Sequence, residues 1–377
     1  MLPLYQSQHI AFEGELIVGS EQDVGEYDDY EDDRPVGVAS YISELVGFLK
    51  TALEIANKNT NAFLKNSVQH WSPYLVECLQ WPREDIAAFE RHPENLFVVG
   101  DISYGQENPV RFSTGRLMVE FERIFGAFAM EHMLAAIVQR FQQAIQQPNS
   151  PWKNQEACLY AIGILTPQLK AIFHNKPDQL SKLLDMERFS EQLAQLFEST
   201  SEPYLKSQIL QCASGLMEML TTEKQEPFVS LMVKSTSSSQ PMSLSSGAYR
   251  AIRRIRQNPR LQHLIQPHGK AIIVQLAELS TICQADLIDV VLGQLVELVT
   301  LKEEVAYATI PHVFPILTQH WEAHMNTLII ISVIQRVFEE YATFPCCLGL
   351  LWQWFSKPIA RMLQDTKLTI RYPNHCI

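Results

Sequence analysis

The histidines and cysteines, which carry the most reactive side chains, do not fall at spacings that build a catalytic or metal site. Eleven histidines are scattered along the chain, and neighbours such as His263 and His268 have no paired carboxylate at ligand spacing. The seven cysteines include adjacent Cys346 and Cys347 but no C-x-x-C, so neither a disulfide framework nor a zinc finger is predicted. The sequence has no phosphate-binding, metalloprotease or nucleophile-elbow motif. We therefore predict that the protein is not an enzyme and uses no cofactor and no metal ion.

The first of two charged clusters is acidic, and its chemistry is that of binding. Residues 21 to 33 read EQDVGEYDDYEDD, with eight acids in thirteen positions. Like charges at this density repel one another and leave little apolar surface to order the chain, so we predict a mobile acidic loop. Such a loop can capture a basic protein cargo by charge, and a solubilising insertion is the alternative interpretation. The acidic residues predicted to contact the cargo are Glu21, Asp23, Glu26, Asp28, Asp29, Glu31, Asp32 and Asp33.

The second cluster is basic and lies on a predicted helix. It contains Arg250, Arg253, Arg254 and Arg256, followed by Arg260. Most of these arginines would share a broad helix face, because the apolar residues between them fall on the other side. We predict a strip that docks an acidic partner segment or phosphates. A solvated helix face, or an intrahelical repeat ladder, is the alternative.

The composition indicates a folded, helical and acidic protein. The chain has 377 residues, of which 46% are hydrophobic and 19% charged, and its 15 glycines are too few for a turn-dense β architecture. The net charge of -12 disfavours nucleic acid and anionic membranes as partners and favours a basic protein. No aliphatic stretch approaches the roughly 20 residues that span a bilayer, and no secretory or lipidation signal is recognisable. We expect a cytoplasmic and nuclear location.

Helical periodicity dominates the sequence from Ser40 onward. Apolar residues recur at helical spacing between Pro203 and Leu220, and again after Pro151, where Pro167 is expected to bend or break the helix. The predicted helices group into pairs about every 40 to 47 residues, which is the period of HEAT and armadillo solenoids.

We therefore predict an all-α fold, a HEAT-repeat-type helical-hairpin solenoid over residues 40 to 377, preceded by a segment of residues 1 to 39 that holds the acidic loop. A compact all-α domain is the alternative. Residues 234 to 246, KSTSSSQPMSLSS, are predicted to form a serine-rich loop within the array, because their composition offers no packing signal.

Several segments together resemble the karyopherin-β (importin-β) nuclear import receptors. They are EYDDYEDD from Glu26, the predicted helix at residues 41 to 53, PYLVECLQWPREDIAAFERHPENLF from Pro73, and WKNQEACLYAIGIL from Trp152. Between the last two, Val110 and Arg111 begin a further predicted helix.

The resemblance implies a superhelical solenoid that wraps basic cargo such as core histones or ribosomal proteins and carries it into the nucleus. It also implies release linked to Ran-GTP, contact with nucleoporins, and a longer receptor whose N-terminal Ran-binding repeats this chain lacks. A HEAT-repeat scaffold that assembles a protein complex without transport is the alternative function.

Overall fold

The computed structural model describes residues 38–55, 58–93, 96, 109–147, 151–354 and 356. Helices are the only regular elements in these residues, and no strand occurs among them. The all-α prediction is therefore confirmed. The predicted acidic loop, residues 21 to 33, lies outside the described residues.

The helices are defined by the following bounds. In chain order they are α1 (Val38–Ile55), α2 (Lys58–Cys78), α3 (Arg83–Arg91), α4 (Pro109–Phe125), α5 (Ala127–Gln146), α6 (Trp152–Asn175), α7 (Pro177–Leu183), α8 (Met186–Ser199), α9 (Pro203–Leu216), α10 (Thr222–Ser235), α11 (Met242–Gln257), α12 (Gln262–Ile265), α13 (Gly269–Ser280), α14 (Ile288–Val299), α15 (Glu303–Ala323) and α16 (Leu328–Ala342). Short 3-10 helices lie at Met217–Met219, Gln266–His268, Ala285–Leu287 and Pro345–Cys347. No described helix carries an apolar run of the length and purity that a bilayer crossing requires.

The chain divides into two compact units. The first unit comprises residues 1–81 and 105–165, and the second comprises residues 82–104 and 166–377. Helix α6 contributes to both units, because the division falls between Leu165 and Thr166. This helix runs without a break through Pro167, so of the two predicted alternatives the break is wrong, and a bend at that proline stays a prediction.

In the first unit, helix pairs pack on one another in a regular order. Helix α1 packs on α4 and α2 packs on α5, and α4 also contacts α5. The buried side of α2 carries Leu64, Val68 and Leu75, spaced by four and seven residues so that they share one face. Burying each such side chain contributes roughly 1.5 to 3 kcal/mol to the free energy of folding. The apolar face of α2 is therefore the main contribution to its packing against the other helices.

The second unit follows the same rule of neighbour packing. Its substantial contacts join a helix to the next one or to the one after that: α9 with α11, α10 with α11, α13 with α14 and α15, and α14 with α16. Helix α16 also contacts α15. The core of this unit is therefore continuous from helix to helix and rests on contacts that are local in the sequence.

The serine-rich loop predicted at residues 234 to 246 is wrong in extent. Helix α10 ends at Ser235 and α11 begins at Met242, so only residues 236 to 241 connect them. The serines on both sides of this turn are buried: Ser235, Ser243, Ser245 and Ser246. Small polar side chains let two helices approach closely and bond to the helix backbone, as Ser246 does with the Ser243 carbonyl at 3.0 Å. Composition alone could not distinguish this close packing from a loop.

Candidate functional site

The two predicted clusters differ in what the structure describes. All eight acidic residues of the cargo-binding prediction lie outside the described residues, so that interpretation stays a prediction. The arginines of the basic cluster are described, and four of them lie on the second half of α11. The first half of α11 is buried against α9, and this packing fixes the direction in which the arginines point.

Two of these arginines bridge α11 to the helix that lies 44 residues further along the chain. Arg253 forms a two-pronged ion pair with Glu297 on α14, with Nη2 to Oε1 at 3.0 Å and Nε to Oε2 at 3.3 Å. Arg256 donates a hydrogen bond to the Thr300 hydroxyl at the end of the same helix. The Arg253 pair is part-exposed, so water weakens it, and its contribution to stability is at most about 1 kcal/mol.

The remaining arginines of the cluster do not contact α14 in this way. Arg254 donates a hydrogen bond to the backbone carbonyl of Gln211 at 3.1 Å, and this bond connects α11 to α9. Arg250 lies one turn earlier, with Nη2 at 3.4 Å from the Ser246 hydroxyl. Arg260 is exposed beyond the end of α11. The arginines of the cluster therefore connect α11 to two other helices, with Arg254 bonding to α9 and Arg253 and Arg256 bonding to α14 and its end.

A guanidinium has five N–H donors, so an arginine that bonds to one neighbour retains the capacity to bind an anion. A small cleft between α11 and α14 is lined by Tyr249, Arg253, Arg256, Gln294, Glu297 and Leu298. The Glu297 carboxylate in this cleft offsets part of the positive charge, which disfavours a phosphate there. Docking of an acidic segment on the arginines stays a prediction.

Histidine chemistry in α15 is explained by packing. His320 is buried, and its Nε2 shares a hydrogen bond with the Ser280 hydroxyl of α13 at 2.9 Å. The ring also stacks on His324, with centroids 6.0 Å apart. Burial, aided by the charge of His324, lowers the pKa of His320 below its ordinary value of 6.5. The folded protein therefore holds this imidazole neutral.

We predict that the second unit loses stability as the pH falls below about 6.5. The unfolded chain then binds a proton at position 320 that the folded chain rejects, which lowers the unfolding free energy by at most about 1.4 kcal/mol per pH unit. Urea unfolding of H320Q between pH 7.5 and 5 should show a smaller loss than the wild type. The control H312Q changes an exposed histidine of the same helix and should retain the wild-type slope. An unchanged slope in H320Q would contradict the assignment.

Three of the described cysteines, Cys78, Cys158 and Cys212, have the properties of core residues. Burial raises the pKa of Cys78 to about 11 and the pKa values of Cys158 and Cys212 to about 12. Thiols of this kind stay protonated near neutral pH and are weak nucleophiles. The Cys346 and Cys347 sulfurs lie 3.7 Å apart and are free thiols. Within the described residues, no group of histidine, cysteine and carboxylate side chains could hold a metal ion.

The most elaborate polar cluster of the first unit was not predicted as a site. Arg111, at the start of α4, is buried and forms a bidentate ion pair with the buried Glu156 of α6, at 2.9 and 2.6 Å. Its guanidinium also donates to the Leu79 carbonyl. Aromatic rings flank the guanidinium carbon, with the Trp81 centroid at 4.3 Å and the Tyr160 centroid at 3.6 Å. We call these five residues the arginine lock.

A second layer of polar contacts surrounds the arginine lock. Arg140 of α5 pairs with Glu77 of α2 at 2.6 Å, and the Gln80 amide donates to the Asn154 side-chain oxygen at 2.8 Å. Burial alone would lower the pKa of Arg111, but the Glu156 carboxylate and Tyr160 more than offset that effect and raise it. The guanidinium is therefore permanently charged, and its partners hold the ends of α2 and the beginnings of α4 and α6 together.

No sequence pattern indicates that Arg111 and Glu156 meet, but two conspicuous segments of the sequence contain most of the residues around them. The segment PYLVECLQW contains Leu79 and Trp81 of the arginine lock and Glu77 and Gln80 of the second layer, and the segment WKNQEACLY contains Glu156 and Tyr160 of the lock and Asn154 of the second layer. Both segments therefore contain residues that fix helix ends. No protein-family model matches the chain.

Proposed function

We propose that the chain is a segment of a nuclear transport receptor of the karyopherin-β family, similar to importin nine, that binds basic cargo such as core histones. The segment would be a HEAT-type solenoid without catalytic residues, and cargo release would be linked to Ran-GTP. The observation that carries the proposal is a recurring offset of about 40 residues in the polar contacts between helices of the second unit, which supports stacked hairpins with the period of this class of receptor.

The recurring offset is clearest in the second unit. In the first unit Arg111 and Glu156 are 45 residues apart, whereas the pairs Glu77 with Arg140, Ser43 with Ser113 and Gln80 with Asn154 span 63, 70 and 74 residues. Five contacts span 39 to 45 residues: Thr236 with Gln275, Ser280 with His320, Arg254 with Gln211, Arg253 with Glu297, and Arg111 with Glu156. Corresponding positions of successive repeats meet in a solenoid, because each repeat contacts only its neighbours. In the second unit, the packing of α9 on α11, α13 on α15 and α14 on α16 supports the same architecture.

Electrostatics support a basic cargo. The chain carries a net charge of -12, and residues 21 to 33 concentrate eight acids in one short run. Such a run attracts a basic protein over a distance of about 10 Å at 0.1 M salt and competes with the nucleic acid to which that protein would otherwise bind. The arginine cluster of α11 is a second candidate surface, for an acidic segment of a partner.

The proposal predicts tight, salt-sensitive binding of core histones. The affinity for a labelled core-histone dimer should fall steeply between 50 and 300 mM salt, because screening weakens attraction between exposed charges. Changing Asp28, Asp29, Glu31, Asp32 and Asp33 to the corresponding amides should weaken binding at least about tenfold at low salt. Fluorescence anisotropy across a salt series measures both effects.

The matched control changes five exposed acids elsewhere to amides. They are Glu44, Glu54, Asp178, Glu198 and Glu223, so the net charge shifts by the same amount in both variants. An equal loss in the two variants would indicate general charge attraction without a dedicated segment. Binding that neither salt nor the acidic run affects would favour the alternative function, a HEAT-repeat scaffold that assembles a protein complex.

A further inference from the structure

Two adjacent thiols lie at the edge of the second unit, shortly after the end of α16. Cys346 and Cys347 belong to the 3-10 helix Pro345–Cys347, which packs against both α15 and α16. Their sulfur atoms are 3.7 Å apart, and both are free thiols. Cys346 is exposed, whereas Cys347 is buried. One sulfur of the pair can therefore meet a reagent from solvent, while the other lies next to it in the core.

We propose that Cys346 and Cys347 form a reversible redox pair, which reacts with a low-molecular-weight disulfide and closes into a disulfide between neighbouring residues. Cys346 attacks first, because it is the exposed member of the pair. Its thiolate bonds to one sulfur of the reagent and displaces the other sulfur as a thiolate. Cys347 then loses its proton and attacks the Cys346 sulfur, which displaces the second half of the reagent. The two electrons and two protons that the cysteines lose reduce the reagent to two thiols.

Proximity favours the second step. Reacting atoms in a productive geometry are about 3 to 3.5 Å apart, and the two sulfurs are already close to that separation. A thiol on the neighbouring residue also acts at a far higher effective concentration than a thiol in solution. The mixed disulfide at Cys346 should therefore convert to the disulfide with Cys347 instead of accumulating.

The closed pair should be easy to reduce. Neighbouring Cα atoms are about 3.8 Å apart across a trans peptide bond, whereas the Cα atoms of an ordinary disulfide are about 4.4 to 6.8 Å apart. A disulfide between Cys346 and Cys347 must therefore be strained, and strained disulfides are the labile ones. This geometry suits a transient modification and not a permanent crosslink.

The surroundings of the pair slow the first step near neutral pH. Two titratable groups face the pair, Glu303 at the start of α15 and Tyr341 of α16. Desolvation and the Glu303 carboxylate raise the pKa of Cys346, and burial raises the pKa of Cys347 to about 12. Only the thiolate attacks a disulfide, so the rate of closure should rise with pH by at most about tenfold per pH unit.

Closure should loosen the contact between α16 and α15. The Cys347 amide donates a hydrogen bond to the Phe344 carbonyl at 2.9 Å. Cys347 also lies beside Tyr341, whose hydroxyl shares a hydrogen bond with Thr309 of α15 at 2.8 Å. Bringing the sulfurs from 3.7 Å to about 2 Å requires the 3-10 helix to shift. Amides at the end of α16 should therefore exchange at least about threefold faster in the oxidised chain.

Incubation of the full chain with glutathione disulfide, followed by alkylation and peptide mass mapping, tests the proposal. In the wild type, the peptide that contains both cysteines should resist alkylation without gaining glutathione, and a reductant should restore both thiols. C347A should keep glutathione on Cys346, at least about tenfold more than the wild type. C346A should not react at the buried Cys347. C347S repeats the comparison with a side chain of similar size, which keeps the core filled.

Three further variants serve as controls. E303Q removes the carboxylate that raises the pKa of Cys346 and should close at least about twofold faster near neutral pH. E304Q changes the neighbouring exposed acid and should keep the wild-type rate. C376S removes another cysteine of the C-terminal sequence and should also leave closure unchanged.

Three results would overturn the proposal. The first is a wild type that retains glutathione on Cys346 as stably as C347A and C347S do, since Cys347 would then fail to displace it. The second is a disulfide that C376S abolishes, because Cys346 would then pair with Cys376. The third is a Cys346 that does not react in the folded chain under conditions in which it reacts in urea.

Discussion

Replacing Arg111 by methionine is expected to lower the unfolding free energy of the first unit by about 3 to 5 kcal/mol. The substitution leaves the Glu156 carboxylate buried without its partner, and only 1% of that residue is exposed to solvent. It also removes the cation that lies between the Trp81 and Tyr160 rings. Urea unfolding followed by circular dichroism, with amide exchange of α4 and α6 peptides, would locate the loss in the first unit.

The size of this effect depends on burial, and two further variants test that dependence. The exposed pair of Lys50 and Glu54, 3.7 Å apart on α1, is the control, and K50Q should change stability by no more than about 0.5 kcal/mol. The double variant R111M/E156L removes both charges and should recover most of the loss, because no buried charge remains unpaired. A loss below about 1 kcal/mol in R111M alone would mean that water reaches the pair and that the arginine lock does not hold the helix ends.

The helical class could be predicted from the sequence because its signal is local. The apolar spacing between Pro203 and Leu220 belongs to α9 and the 3-10 helix after it, and the buried residues Ile209, Ala213 and Leu216 lie on the predicted face. The apolar residues of one helix face are three or four positions apart in the sequence, so a single segment is enough to recognise the face. Pro167 shows the limit of this method, since a proline signal by itself does not state whether tertiary packing will sustain the helix.

The polar contacts could not be predicted, because their partners are far apart in the sequence. Arg111 and Glu156 are 45 residues apart, and nothing near either residue indicates the other. The arginines of α11 illustrate the same problem: their spacing correctly indicates a helix, but Arg253 and Arg254 turn to opposite neighbouring helices. Only the order in which helices pack decides which charges meet. The cargo prediction at residues 21 to 33 lies outside the described residues and stays a prediction.

Replacing Gly247 by alanine is expected to destabilise the second unit by about 1 to 3 kcal/mol, although alanine is normally the better helix residue. Gly247 lies where α11 crosses α9. A Cβ atom at this position would lie 1.9 Å from the Ser207 hydroxyl oxygen and 2.9 Å from the Ser207 Cα. The hydroxyl can rotate away, but the backbone atom cannot move without shifting α9, so the helices must separate and lose packing along their contact.

The control for G247A is G293A, in the middle of α14, where nothing lies within 4 Å of the added methyl group. Because alanine restricts the unfolded chain, G293A should stabilise the unit by about 0.5 to 1 kcal/mol. The double variant S207G/G247A removes the two closest contacts and should recover part of the loss, which a double-mutant cycle in urea would quantify. If G247A behaved like G293A, the two helices would not cross at contact distance.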